Sequence, residues 1–143
     1  MTLVYFHPTA LAKLCVKETD SALAVALWEG GDTLLTSRTA HVEVRAALEA
    51  AVRIGRLGAA AAAQASERWD ELWPGLGVIE VGEPLVRAAG ELVRKRPLRA
   101  TDALHLAAML TVREADPLCA VWDRHLAAAA RAEGLRVIPQ ATQ

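Results

Sequence analysis

The chain has 143 residues, 53% of them hydrophobic, and a net charge of −1. This length predicts one domain over residues 1–143 with ample material for a core. A near-neutral charge argues against nonspecific coating of nucleic acid, so we expect any nucleic-acid contact to be local. No apolar run approaches the roughly 20 residues that span a bilayer, and no signal-peptide pattern begins the chain, so we expect a cytoplasmic protein without membrane contact.

Several metal and phosphate sites are excluded by motif. Cys15 and Cys119 lie in apolar runs, where we expect buried, reduced thiols, and two cysteines cannot make a Cys-rich zinc site. The segment 41–43 has the H-x-E half of a zinc deaminase, but its P-C-x-x-C half is absent. The common glycine-rich phosphate loops are also absent.

Short apolar segments alternate with amphipathic helices along the chain. The strands are predicted at residues 3–6, 33–36, 78–81, 118–122 and 135–138. The helices are predicted at residues 9–16, 21–28, 40–54, 59–73, 83–96, 102–110 and 124–133. Ser37 or Thr39 is expected to cap the third helix, and Thr101 the sixth. This alternation is typical of an α/β fold with a central parallel sheet of about five strands covered on both faces.

Polar side chains follow two of these strands directly, at His7 and Asp123. Open parallel sheets bind ligands beyond the carboxyl ends of their strands, so the two side chains can share a pocket if their strands are neighbours. The alternative for each is a turn or helix cap, and Asp123 in particular can cap the helix that follows it.

Two further acids, Glu43 and Asp102, lie in the first turns of predicted helices. Taken singly, each is explained as an acid that favours the positive end of a helix. Carboxylates brought together from separate elements repel one another unless a cation neutralises them. A divalent ion such as Mg²⁺ takes oxygen ligands, activates water and stabilises charge on a phosphate. The acids together therefore suggest phosphodiester hydrolysis.

Four segments surround these positions in order along the chain. They read VYFHPTALAKL (4–14), SRTAHVEVRAAL (37–48), RATDALHLA (99–107) and AVWDRHLAAAA (120–130), the last followed by GLRVI (134–138). The segments resemble the motifs of PIN-domain ribonucleases, in particular VapC-type toxins of type II toxin–antitoxin systems. The resemblance covers nearly the whole chain, and the third segment is the most diagnostic.

The resemblance implies a PIN-like three-layer fold and a metal-dependent endoribonuclease that cuts RNA, often tRNA or rRNA, with one or two Mg²⁺ or Mn²⁺ ions. It also implies a homodimer and a cognate VapB-like antitoxin that blocks the site. Carried over by position, Glu43, Asp102 and Asp123 are catalytic, metal-site acids. Thr9 occupies the hydroxyl position of the first segment.

The chain departs from this pattern at His7, which stands where the family has its first metal-site aspartate, and at Val121, where the family has a hydroxyl. Imidazole offers no charge, and magnesium prefers oxygen ligands, whereas manganese and zinc accept imidazole better. We therefore expect His7 to weaken Mg²⁺ binding and to impair cleavage. A substitution that disarmed the protein and a naturally degenerate toxin both account for this histidine. The alternative function is a catalytically inactive PIN domain that only binds its antitoxin.

Among the basic residues, Arg38, Arg45 and Arg99 lie nearest the predicted acids and are the candidate substrate or outer-shell contacts. The cluster 94–96 is either a solvated helix end or a contact for RNA phosphates. His105 lies one turn after Asp102, where we expect a packed histidine with a local hydrogen bond rather than a metal ligand.

Two alternatives remain outside the acidic positions. Trp69 and Trp73 share a helical face and belong either to the core or to an antitoxin groove. A receiver-like signalling domain has the same α/β alternation, but it needs paired acids after the first strand and a lysine after the last. Residues 7–8 and 139–140 are His-Pro and Pro-Gln, which disfavours it.

Overall fold

A computed structural model describes residues 1–140 and shows one parallel sheet of five strands, in the order β3-β2-β1-β4-β5. The strands are β1 (Leu3–Phe6), β2 (Thr33–Ser37), β3 (Gly77–Ile79), β4 (Leu118–Ala120) and β5 (Arg136–Ile138). The predicted α/β fold with about five parallel strands is confirmed, and no strand end is shifted by more than two residues. The last three residues of the predicted 1–143 domain lie outside the described part.

Seven α-helices of the described chain connect and cover the strands. They are α1 (Pro8–Cys15), α2 (Ser21–Gly30), α3 (Ala40–Arg53), α4 (Ala59–Leu72), α5 (Glu83–Lys95), α6 (Ala100–Thr111) and α7 (Arg124–Ala132). Short 3₁₀ turns follow α4 and α6, at Trp73–Gly75 and Arg113–Ala115. No helix within residues 1–140 is long and apolar enough to cross a membrane.

The core lies on both faces of the sheet because β1 is buried on both. Val4 and Phe6 pack with α1 to α4, whereas Tyr5 points to the opposite face and packs with α5, α6 and α7. All three side chains are 0% exposed. Alternate residues of a strand face opposite sides of a sheet, so this central strand joins two helical layers through one sheet.

The predicted cap of α6 is wrong, whereas Thr39 occupies the cap position of α3 as predicted. Helix α6 begins at Ala100 with Arg99 in the cap position, so Thr101 lies exposed inside the first turn. Arg99 has an extended backbone (φ −69°, ψ 155°). The connection from α5 therefore ends at Arg99, and α6 begins two residues earlier than a cap at Thr101 predicts. Thr39 precedes α3 but makes no capping bond, because its hydroxyl bonds the hydroxyl of Ser37 at 3.2 Å.

The two cysteines are free thiols. Cys119 is buried as expected, but Cys15 is only partly buried. Burial raises the pKa of both thiols to about 12, so both are protonated near neutral pH.

The site lies where the order of the sheet reverses. β1 pairs with β2 on one side and with β4 on the other, so the carboxyl ends of these three strands meet at one edge. The backbone N–H of His7 donates to the carbonyl of Ala120 at 3.0 Å, which ties the end of β1 to the end of β4. A reversal point of this kind is where open parallel sheets place ligands.

Candidate active site

The four predicted positions converge at this edge of the sheet. His7 follows β1, Glu43 lies in the first turn of α3, Asp102 in the first turn of α6, and Asp123 follows β4. Side-chain contacts link these residues in series, and the imidazole of His7 lies in the middle of that series. The fold therefore brings together the four positions chosen from the sequence, and the contacts among them include residues to which the sequence assigned no role there.

His7 is held by the turn that it begins. Its Nδ1 accepts the backbone N–H of Thr9 at 3.2 Å and lies 2.8 Å from the Thr9 hydroxyl. That hydroxyl accepts the backbone N–H of Trp122 at 2.9 Å, so its own proton is free to point to Nδ1. With Nδ1 accepting, the ring proton lies on Nε2, which faces Asp102 Oδ1 at 3.4 Å.

The charge state of His7 follows from its burial. The side chain is 6% exposed. Burial lowers the pKa of His7, and the nearby Asp102 carboxylate only partly opposes this effect. His7 is therefore a neutral imidazole that presents an N–H, rather than a lone pair, to the carboxylate beside it.

A buried relay holds Glu43. His105, 0% exposed, donates from Nε2 to Glu43 Oε1 at 2.8 Å, because a carboxylate can only accept. Its Nδ1 must then accept, and the Tyr5 hydroxyl donates to it at 2.8 Å. Burial raises the pKa of the Tyr5 phenol, so this proton stays in place. The rings of His7 and His105 meet edge to face at 4.9 Å between centroids.

The relay also sets the charge of Glu43. Burial raises the pKa of its carboxyl, but the hydrogen bond that His105 donates opposes this, and the net pKa is lowered. Glu43 is therefore ionised near neutral pH.

Arg99 joins the two aspartates. Its Nε donates to Asp102 Oδ2 at 3.3 Å and its Nη2 donates to Asp123 Oδ2 at 3.1 Å. Burial raises the pKa of Asp102, but His7 and Arg99 outweigh it and the net pKa is lowered. The other Asp123 oxygen, Oδ1, accepts the N–H of Leu126 at 2.9 Å and caps α7. Asp123 therefore caps α7, which was the alternative predicted for it from the sequence. Its other carboxylate oxygen still faces the site.

A divalent ion fits one part of this arrangement and not another. Within residues 1–140 no three His, Cys, Asp or Glu side chains lie close enough to hold an ion as they stand. The Arg99 guanidinium, however, is a cation shared by Asp102 and Asp123, and its side chain is 77% exposed to solvent. The two aspartates therefore fit an oxygen-preferring divalent ion, whereas the N–H of His7 does not.

The other candidate arginines have partners elsewhere. Arg38 forms a two-pronged ion pair with Glu80, at 2.6 and 2.9 Å. Arg45 bonds Ser66 and Asp70 on α4. Of the three arginines chosen from the sequence, Arg99 is the one that contacts the acids.

The basic cluster at the end of α5 has a structural partner. Lys95 and Arg96 bond Glu133 Oε2 at 3.1 and 2.6 Å, while Arg94 pairs along its own helix with Glu91 at 3.6 Å. These contacts tie α5 to the end of α7, in agreement with the structural alternative for this cluster.

The tryptophan pair is divided between core and surface. Trp69 is 0% exposed and its N–H donates to the carbonyl of His41 at 3.3 Å, so it belongs to the core. Trp73 is partly buried, with its ring 5.5 Å from that of Trp69 and the Arg38 guanidinium 5.9 Å from its centroid.

Sequence reasoning missed the relay from Tyr5 to Glu43. It expected a local hydrogen bond for His105, whereas both ring nitrogens bond residues distant in the chain. One signal was available: Tyr5 is the only tyrosine and lies in an otherwise apolar strand. A phenol buried in a strand needs a hydrogen-bond partner, and a histidine facing the site is a suitable one.

Comparison with known proteins agrees with this architecture. The PIN domain family model matches residues 10–118. Ribonuclease VapC45 and ribonuclease VapC49, each from a strain of Mycobacterium tuberculosis, are 45% identical over 139 residues, which cover 97% of this chain and 96% of each relative.

Solved structures share the fold at lower identity. M. tuberculosis VapC20, described as a sarcin-ricin loop cleaving toxin, superposes with a TM-score of 0.63 at 24% identity, over 88% of this chain and 94% of that one. VapBC2 from Rickettsia felis, bound to a DNA fragment from its promoter, gives 0.66 at 12% identity, over 95% of this chain and 97% of that one. With a family model over most of its length and relatives at 45% identity, the chain belongs to the PIN-domain family and is similar to its VapC ribonucleases.

Proposed function

We propose that this protein is a VapC-type toxin, a metal-dependent endoribonuclease whose activity is lowered by the histidine at position 7. The observation that supports this most directly is the link between His7 and the three acids at the reversal point of the sheet. His7 contacts Asp102 directly, and His105 and Arg99 join Glu43 and Asp123 to this pair. The relatives at 45% identity are named ribonucleases, which supports RNA as the substrate, with tRNA or rRNA the classes proposed.

Each residue has a distinct role in this proposal. Asp102 and Asp123, which share Arg99, would supply oxygen ligands in its place, and Arg99 would then be available to a phosphate of the RNA. Glu43, ionised and oriented by His105, is positioned to take the proton of the attacking water. A divalent ion bound here, Mg²⁺ or Mn²⁺, supplies Lewis-acid stabilisation of the phosphate and a more acidic water.

His7 lowers this activity in two ways. It removes one negative charge from the group of acids, and it directs an N–H toward the place where a metal ligand belongs. To offer a lone pair there, the ring must move its proton to Nδ1 and give up the hydrogen bond from the Thr9 N–H. Mg²⁺ gains little from such a ligand, whereas Mn²⁺ accepts imidazole more readily.

The test compares RNA cleavage by the protein and by His7→Asp, first with Mg²⁺ and then with Mn²⁺. We expect His7→Asp to cleave faster in Mg²⁺ by at least about 10- to 100-fold, the range typical when a metal site loses even an indirect support. The gain should be smaller in Mn²⁺. Asp102→Asn added to His7→Asp is the matched control and should abolish cleavage.

The outcomes test two questions separately: whether the protein is a nuclease, and whether His7 lowers its activity. Equal, strong cleavage by both proteins contradicts the role given to His7 and leaves the nuclease function standing. Absence of cleavage by His7→Asp with either ion contradicts the nuclease function itself. In that case full affinity for an antitoxin favours the alternative, an inactive PIN domain that acts only as an antitoxin-binding module.

We further propose a cognate VapB-like antitoxin as partner, a homodimer, and action in the cytoplasm as one domain over residues 1–143. The likeness to the VapBC2 structure supports the antitoxin. Co-expression with a candidate VapB-like antitoxin, followed by size-exclusion chromatography and light scattering of the free and bound protein, tests the partner and the dimer together.

A further inference from the structure

A groove of about 800 Å³ opens directly beside Asp123. Pro97 and Leu98, in the connection between α5 and α6, form one wall, and Trp122, Arg124 and His125, around the start of α7, form the other. Its volume is within the range of about 300–1,000 Å³ that is usual for small-molecule sites. Asp123 is itself one of the lining residues, so the groove is continuous with the acids.

The groove has an exposed cation, Arg124. Arg124 and His125 are exposed, and neither forms an ion pair within the part of the chain that the structure describes. Arg96, also in the lining, is bound to Glu133, and Asp123 shares the Arg99 guanidinium with Asp102. In a chain with net charge −1, this is a local site for an anion rather than part of a basic surface.

The groove also has an oriented aromatic wall. The indole N–H of Trp122 donates to Asp20 at 3.0 Å and its backbone N–H donates to Thr9 at 2.9 Å. Lys13 lies 5.4 Å from the ring centroid. The ring is therefore held in place before any ligand arrives, beside the apolar surface of Pro97 and Leu98. Aromatic and apolar surface next to a free arginine matches the two parts of a nucleotide, a flat base and a phosphate.

We propose that this groove binds the nucleotide adjacent to the scissile phosphate in single-stranded RNA, an inference that rests on the proposed ribonuclease function. Arg124 binds the phosphate of that nucleotide, and the base lies against Trp122 and the Pro97–Leu98 wall. An unpaired base is required, because a base within a duplex cannot leave its stack to enter such a groove without loss of pairing.

The test measures binding of a fluorescently labelled 8-nucleotide single-stranded RNA by anisotropy, in EDTA so that nothing is cleaved. The variants are Arg124→Ala and Arg124→Lys. The matched control is Arg53→Ala, an exposed arginine in the last turn of α3, ten residues beyond Glu43 and thus about 15 Å along the helix. A blunt RNA duplex that contains the same sequence and has no unpaired nucleotides tests the requirement for an unpaired base.

We expect Arg124→Ala to weaken binding about tenfold at low salt, as suits one charged hydrogen bond, and Arg124→Lys to restore most of the loss. The slope of log affinity against log salt should fall by about 0.7, the change expected for one lost phosphate contact to a single strand. Arg53→Ala should bind as the unaltered protein does, and the blunt duplex should bind more weakly than the single strand.

Equal affinity of Arg124→Ala and Arg53→Ala, or equal binding of single and paired RNA, overturns the groove. So does absence of RNA binding by the unaltered protein. This result is distinguishable from failure of the ribonuclease function. If His7→Asp cleaves RNA and Arg124→Ala binds RNA with unchanged affinity, only the proposal for the groove is contradicted. If RNA binding depends on Arg124 but His7→Asp does not cleave, only the nuclease function is contradicted.

Discussion

The two sides of the site hold their acids in different ways. On the buried side, Glu43 bonds a histidine that is 0% exposed and is itself held by Tyr5, with both contacts at 2.8 Å. On the open side, Asp102 and Asp123 share an arginine whose side chain is 77% exposed, at 3.3 and 3.1 Å. Burial thus gives one acid a permanent partner, while the other two have a partner that can be replaced. The open side is where a ligand can enter.

His7 lies between the two sides. Its ring contacts His105 edge to face and its Nε2 points to Asp102. The following predictions test whether the buried side is structural and the open side exchangeable, from the largest effect on stability to the smallest.

Removal of His105 from the buried side should cause the largest loss of stability. His105→Leu leaves both the Tyr5 hydroxyl and the Glu43 carboxylate without their partner, and the free energy of unfolding should fall by about 2–3 kcal/mol. Urea denaturation measures this loss. His105→Gln is the matched control, because its amide can donate to one group and accept from the other, and it should lose less than half as much. Equal losses for both variants would show that packing, and not the relay, sets the effect.

Loss of the Thr9 hydroxyl, which connects the two sides, should reduce stability by a smaller but measurable amount. Thr9→Val removes the hydroxyl that bonds His7 Nδ1 and accepts the backbone N–H of Trp122, next to Asp123. We expect the free energy of unfolding to fall by about 1–2 kcal/mol, the usual effect of a buried donor left without an acceptor. Thr9→Ser retains the hydroxyl and should stay within about 0.5 kcal/mol of the unaltered protein. A Thr9→Val protein as stable as Thr9→Ser would contradict this connection.

The open side should tolerate loss of its cation. Arg99→Ala should change the free energy of unfolding by no more than about 1 kcal/mol, because its ion pairs are mostly exposed to solvent. Since the guanidinium competes with a divalent ion for the two aspartates, Mn²⁺ affinity should rise by about fivefold, the equivalent of one unit charge removed at 4 Å in water. Isothermal titration calorimetry or the EPR signal of free Mn²⁺ measures it without any activity assay.

Arg99→Lys is the control for that experiment, because it retains the charge and should gain little Mn²⁺ affinity. Unchanged or weaker Mn²⁺ binding by Arg99→Ala would mean that the two aspartates do not form the ion site. A large loss of stability would mean that the arginine is structural, and the difference between the two sides would disappear.

Most of the fold was predictable because its signals are local. Strand β1 is an apolar run of four residues, and α5 begins at Glu83 with Pro84 in its first turn, as the sequence suggested. The cap of α6 was not predictable, because threonine is a good cap residue anywhere and only the path of the chain after α5 decides where the helix starts. The partners of Arg38 and Arg45 could not be predicted from the sequence either, because Glu80 and Asp70 are 42 and 25 residues away along the chain.

The sequence by itself determined the elements, the central buried strand and the presence of an imidazole among acids at one edge of the sheet. Only the tertiary structure decided what each of those groups does when folded: that His7 is neutral with its proton toward Asp102, that Glu43 is ionised through His105 and Tyr5, and that Arg99 occupies the space between two aspartates. The physical reason is that periodicity and capping act over a few residues, whereas charge state and proton position depend on burial and on partners that the fold brings from up to 100 residues away.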